Sequence, residues 1–279
     1  MKISELPNNP SAIMGILNIT PDSFYDGGKF IDPDHALKQA EEMAGQGADI
    51  IDIGGESTRP GSGEISVEEE LARVIPVIKK IKEKLNIKIS CDTSKHQVAR
   101  KALESGAEMV NNVTGFIDPE MRKAASDFDA AVCIMHMKGT PRSMQNSPDY
   151  DDVLEEIRNF LYRQAELCED EGISGDNIII DPGIGFGKTL EHNVKILANL
   201  EYFSGRYPVM IGASRKSFLG MLLGTPVEER LPGSLAVAAH CVEKDVRVIR
   251  VHDVKETKET VDLIKTLKEK ENERNIAYT

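Results

Sequence analysis

Several polar side chains come directly after apolar runs of the sequence, where they could contact a small molecule. Asp92 follows residues 87–91, and Asp181 follows residues 177–180. A buried carboxylate accepts hydrogen bonds from N–H groups, so each residue could hold a ligand that carries such donors. Asn18 follows another such run, and its amide oxygen is a hard ligand of the kind that Mg²⁺ prefers. The alternative for Asn18 is a turn or helix-cap residue.

A second group of polar residues suits anions. Arg250 and His252 are two positions apart on a predicted strand, so their side chains share one face. Such a pair suits a phosphate or carboxylate group, whereas an ion pair between Arg250 and Asp253 is the structural alternative. Ser217 is expected to begin a helix, and the first N–H groups of that helix would suit a carboxylate.

These side chains need a frame that brings distant parts of the chain together. Eight short runs are apolar throughout, as in strands that are buried on both faces of a parallel sheet, and amphipathic stretches separate them. The runs are residues 12–17, 49–53, 87–91, 108–113, 131–135, 177–180, 209–212 and 246–251. Eight alternations in 279 residues predict one domain over residues 1–279, a single (β/α)₈ TIM barrel. A doubly wound open sheet is the alternative fold.

Almost every unusual polar cluster lies at the carboxyl end of one of these runs. In a parallel barrel those ends open onto one face, where barrel enzymes keep their active sites. The coincidence predicts an enzyme with one site at that face.

Composition narrows the classes of function. The net charge of −12 argues against a nucleic-acid-binding protein, because neutralising phosphates requires clustered Lys and Arg. The four cysteines are scattered without a CxxC pair, so we expect reduced thiols in a cytoplasmic protein. We expect neither a signal peptide nor a membrane interaction, since the N-terminus is polar and no apolar run approaches the roughly 20 residues that span a bilayer.

Seven motifs, in order along nearly the whole chain, resemble those of the dihydropteroate synthases. They are residues 14–28, 54–61, 92–95, 135–141, 181–188, 214–217 and 250–253. Any one motif is weak evidence, but seven in series are specific.

The resemblance implies a transferase of folate biosynthesis. Its substrates would be (7,8-dihydropterin-6-yl)methyl diphosphate and p-aminobenzoate, and its products 7,8-dihydropteroate and pyrophosphate. The resemblance also implies Mg²⁺ as cofactor and a homodimer, for which apolar positions within 219–223 and 235–239 could supply a face. Because the dihydropterin is electron-rich, we expect pyrophosphate to leave before the amine attacks.

The resemblance assigns a role to each candidate residue. The pterin residues are Asp92, Asn111, Met135, Asp181, Phe186, Gly212 and Lys216. The p-aminobenzoate residues are Phe24, Thr58, Arg59, Pro60 and Ser217, of which all but Ser217 belong to two loops over the site. The diphosphate residues are Asn18, Arg250 and His252, with Asn18 also on the metal. The catalytic residues are Asp26, Arg250 and His252.

Three positions have structural alternatives. Asp181 could form an Asx-turn or a helix N-cap before Pro182. Asp92 could cap the helix expected near Ser94, and this role can coexist with ligand contact. His136, in another of the motifs, could be either a catalytic residue or a packed one.

Two other functions stay open on the sequence alone. The methyltetrahydrofolate–corrinoid methyltransferases resemble this chain in Asp92, Asn111 and Asp181, but should not need the diphosphate residues. A non-catalytic pterin-binding or scaffold protein would bind pterin without turnover, against which the diphosphate residues argue. Asn112 and Cys91 depart from the family pattern, which has Asp and a Val-like residue there, and both flank ligand positions.

Overall fold

The computed structural model describes residues 1–7, 11–19, 32–57, 63–140, 143–144 and 148–276. In this part of the chain eight parallel strands alternate with α-helices and form the (β/α)₈ barrel that the sequence predicts. The strands are β1 (Ala12–Asn18), β2 (Ile50–Gly54), β3 (Lys88–Asp92), β4 (Met109–Asn112), β5 (Ala131–Met135), β6 (Ile178–Asp181), β7 (Met210–Ile211) and β8 (Val248–Val251). The α-helices are α1 (Pro33–Gly45), α2 (Val67–Lys84), α3 (His96–Glu104), α4 (Pro119–Asp127), α5 (Val153–Asp170), α6 (Leu190–Ala198), α7 (Ser217–Leu223), α8 (Leu231–Glu243) and α9 (Val254–Ile276).

The strands form one sheet in the order β6-β5-β4-β3-β2-β1-β8-β7. The last strand in the sequence, β8, pairs with both β1 and β7. Between β6 and β7 the ring is closed by a single parallel bridge from Ile180 to Val209. The N–H of Ile180 also donates to the carbonyl of Pro208 at 3.0 Å. This seam therefore has fewer backbone hydrogen bonds than the pairing of β1 with β2.

Alternation along each strand separates two layers of side chains, because successive side chains of a strand point to opposite faces. In β2, Ile51 and Ile53 belong to the cluster between sheet and helices. Ile50 instead belongs to the cluster inside the barrel. Asp52 lies on the same face of β2 as Ile50, one step nearer the carboxyl end. The interior thus changes from apolar to polar along the strands.

The register places polar residues in a row at the end where the strands finish, which we call the upper rim. Asn18 is the partner of Gly54, Gly54 of Asp92, and Asp92 of Asn111. On the neighbouring strands Met135 is the partner of Asp181. Arg250 on β8 lies at the same rim. The fold therefore brings predicted site residues from six strands onto one rim.

The lower end of the barrel interior is closed by the N-terminal segment. Ile3, in the 3₁₀-helix Ile3–Glu5, and Leu6 pack on Met14 and the other apolar residues of this layer. Arg247, nearly buried, donates to the carbonyls of Ile3 at 2.7 Å and Leu6 at 2.5 Å. Burial lowers the pKa of this guanidinium. Among the residues that the structure describes, Ile3, Leu6 and Arg247 therefore fill the lower end of the barrel interior.

Capping residues and backbone dihedrals set the helix ends, and some ends differ from those that hydrophobic periodicity predicts. Ser66 accepts from the N–H of Glu69 at 3.1 Å and begins α2 where periodicity predicts it. The stretch 190–204 reads as one helix, but α6 ends at Ala198 because Asn199 has non-helical dihedrals, and a 3₁₀-helix follows. The helix expected at Ser217 is confirmed as α7.

The apolar face expected within 219–223 is partly in the core. Leu219 is buried, whereas Met221, Leu222 and Leu223 are 66, 58 and 52 % exposed. Ala238 on α8 is also buried. Leu219 and Ala238 therefore do not belong to an exposed face, since they pack on the barrel.

Two further expectations concern the cysteines and the membrane. All four cysteines are free and buried, which confirms the prediction of unpaired thiols. Among the helices in the described ranges, none is both long enough and apolar enough to cross a lipid bilayer.

Candidate active site

The side chain of Arg250 lies at the centre of the upper rim between two carboxylates. Its Nε donates to Asp52 Oδ2 at 2.6 Å and its Nη2 to Asp92 Oδ2 at 2.8 Å. Burial alone would lower the pKa of Arg250, but the two carboxylates raise it. The alternative of an Arg250–Asp253 pair is wrong, because Asp253 accepts from Arg215 Nε at 2.9 Å.

Asp52 is a site residue that the sequence analysis did not single out. Its side chain is fully buried, and its Oδ2 also accepts from Asn111 Nδ2 at 3.0 Å. Asp52 therefore orients both Arg250 and Asn111. Its Oδ1 is buried without a hydrogen-bond partner among the residues that the structure describes. The available signal was a carboxylate inside an apolar run, since such groups are rarely buried unless they are paired.

Asp92 ends β3 beside Arg250. Burial raises its pKa to about 7, with Arg250 opposing the rise and Asp52 adding to it. Helix α3 begins at His96 with Lys95 as its N-cap residue, and it has no side-chain cap. Asp92 thus does not cap that helix, and its carboxylate is directed into the site.

Asp181 ends β6 on the far side of the barrel mouth. Its Oδ1 accepts from the N–H of Gly183 at 2.7 Å, so the Asx-turn alternative is realised. Its Oδ2 would lie 4.0 Å from a Cβ placed on Gly212, so this oxygen faces Gly212. Burial raises the pKa of Asp181, against the effects of the Gly183 N–H and Lys216. One oxygen holds the turn and the other faces the site, so both roles can coexist.

The loop after β6 packs backbone against backbone on the end of β5. Gly183 has φ +71°, and a Cβ there would lie 2.0 Å from the carbonyl oxygen of His136. Gly187 has φ +63°, and a Cβ there would lie 2.3 Å from the carbonyl oxygen of Lys138. Only glycine combines this conformation with this approach. The glycines thereby bring the loop next to Met135, whose Cγ would lie 3.3 Å from the Cβ at Gly183.

Lys216 and Phe186 form another side of the site. Lys216 Nζ donates to the carbonyl of Ile184 at 2.5 Å and lies 3.9 Å from the ring centroid of Phe186. Burial lowers the pKa of Lys216 to about 7, although the charge of Asp181 opposes this. The site therefore has a half-buried amine whose pKa is lowered to about 7 beside a half-buried aromatic ring.

His136 is held as a packed residue. It is buried, its ring lies 5.1 Å from that of Phe160, and its Nδ1 is 3.1 Å from Lys188 Nζ. Lys188 also donates to the carbonyls of Phe186 at 2.9 Å and His136 at 3.3 Å. Burial and the neighbouring Lys188 lower the pKa of His136 to about 2. The imidazole is neutral, and the geometry favours the packed alternative over a catalytic one.

His252 and Arg250 both lie at the upper end of β8 but have different partners. The N–H of His252 donates to Ser214 Oγ at 3.2 Å, and the ring Nδ1 is 3.1 Å from the same hydroxyl. Arg250 instead points to Asp52 and Asp92. The imidazole is thus fixed to the loop after β7, while the guanidinium is fixed inside the barrel mouth.

Asn18 ends β1 in the same row as Asp92. Its Oδ1 would lie 3.7 Å from a Cβ placed on Gly54, between the two strands. In the described ranges there is no group of three His, Cys, Asp or Glu side chains that could hold a metal ion. A cation here would need most of its ligands from water and phosphate. Mg²⁺ binds in this way, so the donor set fits it.

The remaining predicted site residues fall in two classes. Phe24, Asp26, Thr58, Arg59 and Pro60 lie outside the described residues. Ser217 is exposed at the first position of α7.

A separate surface depression lies at the lower rim, and it is larger than the one beside His252. Its lining includes Asp49, Lys82, Lys88 and Glu108, and none of the described candidate residues. We assign the site to the upper rim because the buried charges converge there.

Comparison with known proteins shows which proteins the chain resembles. A profile described as "Pterin binding enzyme" matches residues 14–252. The dihydropteroate synthase of Escherichia coli (strain K12) is 47 % identical over 264 residues, which cover 94 % of each chain. The solved structure of Yersinia pestis dihydropteroate synthase with a sulfonamide drug has a TM-score of 0.89 and 41 % identity, and 96 % of each chain is covered. That of Xanthomonas albilineans dihydropteroate synthase with 4-aminobenzoic acid has a TM-score of 0.88 and 39 % identity, over 94 % of this chain and 95 % of the other.

Proposed function

The chain belongs to the dihydropteroate synthases, a family of pterin-binding enzymes, and we propose how its upper rim carries out their reaction. These transferases of folate biosynthesis join (7,8-dihydropterin-6-yl)methyl diphosphate to p-aminobenzoate and release pyrophosphate. The observation that carries the proposal is the convergence of Asp92, Asn111, Asp181 and Arg250, all at least partly buried, on one rim.

The pterin ring binds in the hollow at the barrel mouth. Asp181 accepts from the donor edge of the ring with the oxygen that faces Gly212. Asn111 uses its Nδ2 on Asp52, which leaves its Oδ1 as an acceptor for the ring. Asp92 supplies a second carboxylate at the same edge. The ring's N–H groups are thus paired where water is excluded.

The other edge and the faces of the ring contact the opposite side of the site. Lys216 donates to the pterin oxygen and nitrogen on the far edge from Asp181. Phe186 and Met135 pack on the ring faces. Phe186 belongs to the loop that the glycines hold against β5, and Met135 lies next to that loop. This arrangement suits a flat heterocycle better than a flexible substrate.

The diphosphate is held by Asn18, Arg250 and His252, with Mg²⁺ on Asn18. When bound, the cation would share the negative charge of the diphosphate and so make it a better leaving group. Arg250 and His252 stabilise the same charge from the protein, and each is fixed in place by other side chains.

The reaction proceeds with loss of pyrophosphate first. The C–O bond breaks, its electron pair leaves with the diphosphate, and the cation is delocalised over the dihydropterin. Asp26, which lies outside the described residues, stabilises this cation. The lone pair of the aryl amine then forms the C–N bond, and the amine proton passes to water. Positional isotope exchange within the diphosphate, without aminobenzoate, tests this order, and absence of exchange would count against it.

The p-aminobenzoate site is formed by Phe24, Thr58, Arg59, Pro60 and Ser217. Ser217 supports the assignment because it is exposed at the first position of α7. The similar Xanthomonas albilineans enzyme was solved with 4-aminobenzoic acid. Changes at Thr58 or Pro60 should alter aminobenzoate and sulfonamide affinity more than pterin affinity. Equal losses would contradict the assignment.

The enzyme is a cytoplasmic homodimer of single-domain chains. The free cysteines support the compartment. The dimer face is the exposed apolar side of α7, including Met221, Leu222 and Leu223. Replacing Leu222 with Lys should convert dimers to monomers in light scattering, and an unchanged dimer would exclude this face.

Pyrophosphate release tests the whole proposal. It should require both substrates and should fall when Mg²⁺ is chelated. A corrinoid methyltransferase would release no pyrophosphate on addition of aminobenzoate. A pterin-binding scaffold would bind the pterin and show no turnover at all.

A further inference from the structure

A buried lysine behind the upper rim joins two carboxylates. Lys95 Nζ donates to Glu56 Oε2 at 2.8 Å and to Glu70 Oε2 at 2.7 Å. The side chains of Lys95, Glu56 and Glu70 are 12, 16 and 0 % exposed. We call these three residues the Lys95 bridge. None of them is among the residues assigned above to substrate or metal.

The Lys95 bridge ties together the elements on either side of residues 58–62. Glu56 follows β2, Glu70 lies in the first turn of α2, and Lys95 directly precedes α3. Glu56 Oε1 accepts from the N–H of Ile65 at 2.9 Å. One carboxylate therefore holds the chain on both sides of the segment that contains Thr58, Arg59 and Pro60.

A second contact fixes the same place. Arg73 Nη1 donates to the carbonyl of Gly55 at 2.7 Å. A Cβ on Gly55 would lie 2.8 Å from Val74 Cγ1 and 3.0 Å from Glu70 Cγ, so the backbone before Glu56 packs tightly on α2. The backbone at Gly55, directly before Glu56, is therefore held in place by α2.

The charges explain why the lysine is needed. Burial alone would lower the pKa of Lys95, but the hydrogen bonds that Lys95 donates to Glu56 and Glu70 raise it. Glu70 Oε1 is buried and has no hydrogen-bond partner within the described part of the chain. Without the ammonium group two carboxylates would face each other away from bulk water. Glu56 is the more exposed of the two, so it would move, together with its contact to Ile65.

We propose that Lys95 is a positioning residue that fixes the base of segment 58–62 and thereby sets the affinity for p-aminobenzoate. The inference rests on the proposed function, in which Thr58, Arg59 and Pro60 contact that substrate. Pterin binding should be spared, because Asp92 is held independently by Arg250 at 2.8 Å. The N–H of Thr93 also donates to the carbonyl of Asn111 at 3.1 Å, which keeps the end of β3 in place.

Steady-state kinetics of Lys95→Met test the proposal. The KM for aminobenzoate should rise about ten- to a hundredfold, the cost of misplacing groups that position a substrate, while the KM for the pterin diphosphate stays close to that of the wild type. Lys95→Arg should restore most of the aminobenzoate affinity because it can bridge both carboxylates. Lys82→Met is the matched control, because Lys82 binds Glu108 at 3.2 Å at the lower rim, and it should leave both KM values unchanged.

The outcomes distinguish a failure of the proposed function from a failure of the inference about Lys95. A wild-type enzyme that releases no pyrophosphate with both substrates would refute the proposed function. Normal wild-type turnover, with both KM values rising equally in Lys95→Met or with neither changing, would overturn the inference alone. If Lys95→Met does not fold, Glu56→Gln replaces it, since that variant removes one carboxylate and keeps Lys95 paired with Glu70. A selective rise in the aminobenzoate KM supports the proposal there too, and its absence overturns it.

Discussion

Replacing Asp52 with Asn should change both the stability and the pH dependence of the enzyme. The variant keeps an oxygen that can accept from Arg250 Nε but removes the negative charge from a fully buried site. Arg250 retains its ion pair with Asp92. Breaking a buried ion pair costs about 3 kcal/mol at the lower end of the usual range, and that end applies because the second carboxylate remains.

The pH effect follows from the pKa of Asp92. Burial raises that pKa to about 7, and Asp52 adds to the rise. Removing Asp52 should therefore lower the pKa of Asp92, because a neighbouring negative charge disfavours ionisation of a carboxyl group. If the ionised form of Asp92 binds the pterin, the acid limb of kcat/KM for the pterin diphosphate lies near pH 7 and moves to lower pH in Asp52→Asn.

Stability should show the same coupling. The folded-state pKa of Asp92 lies above its ordinary value of 3.8, so the folded protein binds this proton more tightly than the unfolded chain. The contribution of this bound proton to the free energy of unfolding is therefore full at low pH and is lost as pH rises from about 4 to about 7. In Asp52→Asn the loss should be smaller, which urea unfolding at a series of pH values would measure.

Asp49→Asn is the matched control. Asp49 accepts from the N–H of Ile13 at 2.8 Å and lines the depression at the lower rim. Its replacement should leave the acid limb of kcat/KM where it is in the wild type. An acid limb that stays fixed or moves to higher pH in Asp52→Asn would refute the coupling between Asp52 and Asp92.

Three further changes test other parts of the structure. Asp181→Ala should abolish pterin binding in calorimetry, because the ring donors would be unpaired in a buried site; tight binding would exclude the assigned contact. Gly183→Ala would place a Cβ 2.0 Å from the carbonyl oxygen of His136, so the turn that Asp181 caps must shift. We expect kcat/KM to fall about a hundredfold, and wild-type kinetics would show that the turn does not position the site. Arg247→Met removes two hydrogen bonds to the N-terminal segment and should cost about 3 kcal/mol in urea unfolding. Its kcat should match the wild type, and a reduced kcat would show that the two rims are coupled.

The sequence predicted the fold, and it predicted that the candidate residues lie at one rim, because both follow from local patterns. Apolar runs marked the strands, and polar residues directly after them marked the upper rim. Asn18 and Asp92 each end their strand, and Asn111 is the second-last residue of β4. The register places Asn18 and Asn111 on either side of Gly54 and Asp92, on the same face of the sheet. Alternation and parallel pairing suffice for this result.

The pairing of charges could not be predicted in the same way. Arg250 bonds to Asp52 and Asp92, which are 198 and 158 positions away in the sequence. Proximity in the sequence offers Asp253 as an alternative partner, but Asp253 pairs with Arg215. Which carboxylate an arginine binds depends on how the barrel closes, and only the fold determines that.

Asp52 and Lys188 show a second limit. Each is a charged residue whose neighbours in the sequence gave it no obvious role, one inside a strand and the other at the end of a glycine-rich turn. Both are buried and hold other site residues in place: Asp52 orients Asn111, and Lys188 fixes the loop that carries Phe186. Their roles depend on contacts with residues that are distant in the sequence, such as Asn111 for Asp52 and His136 for Lys188.

The seam between β6 and β7 has a consequence for local opening of the barrel. It is joined through the Ile180–Val209 bridge, and it lies below Asp181 on one strand and Gly212 on the next. Amide hydrogens along this seam should therefore exchange with deuterium earlier than those between β1 and β2. A pterin that contacts both Asp181 and the loop at Gly212 would hold β6 and β7 together. Ligand binding should therefore slow amide exchange most at the β6–β7 seam, where the strands share the fewest backbone hydrogen bonds.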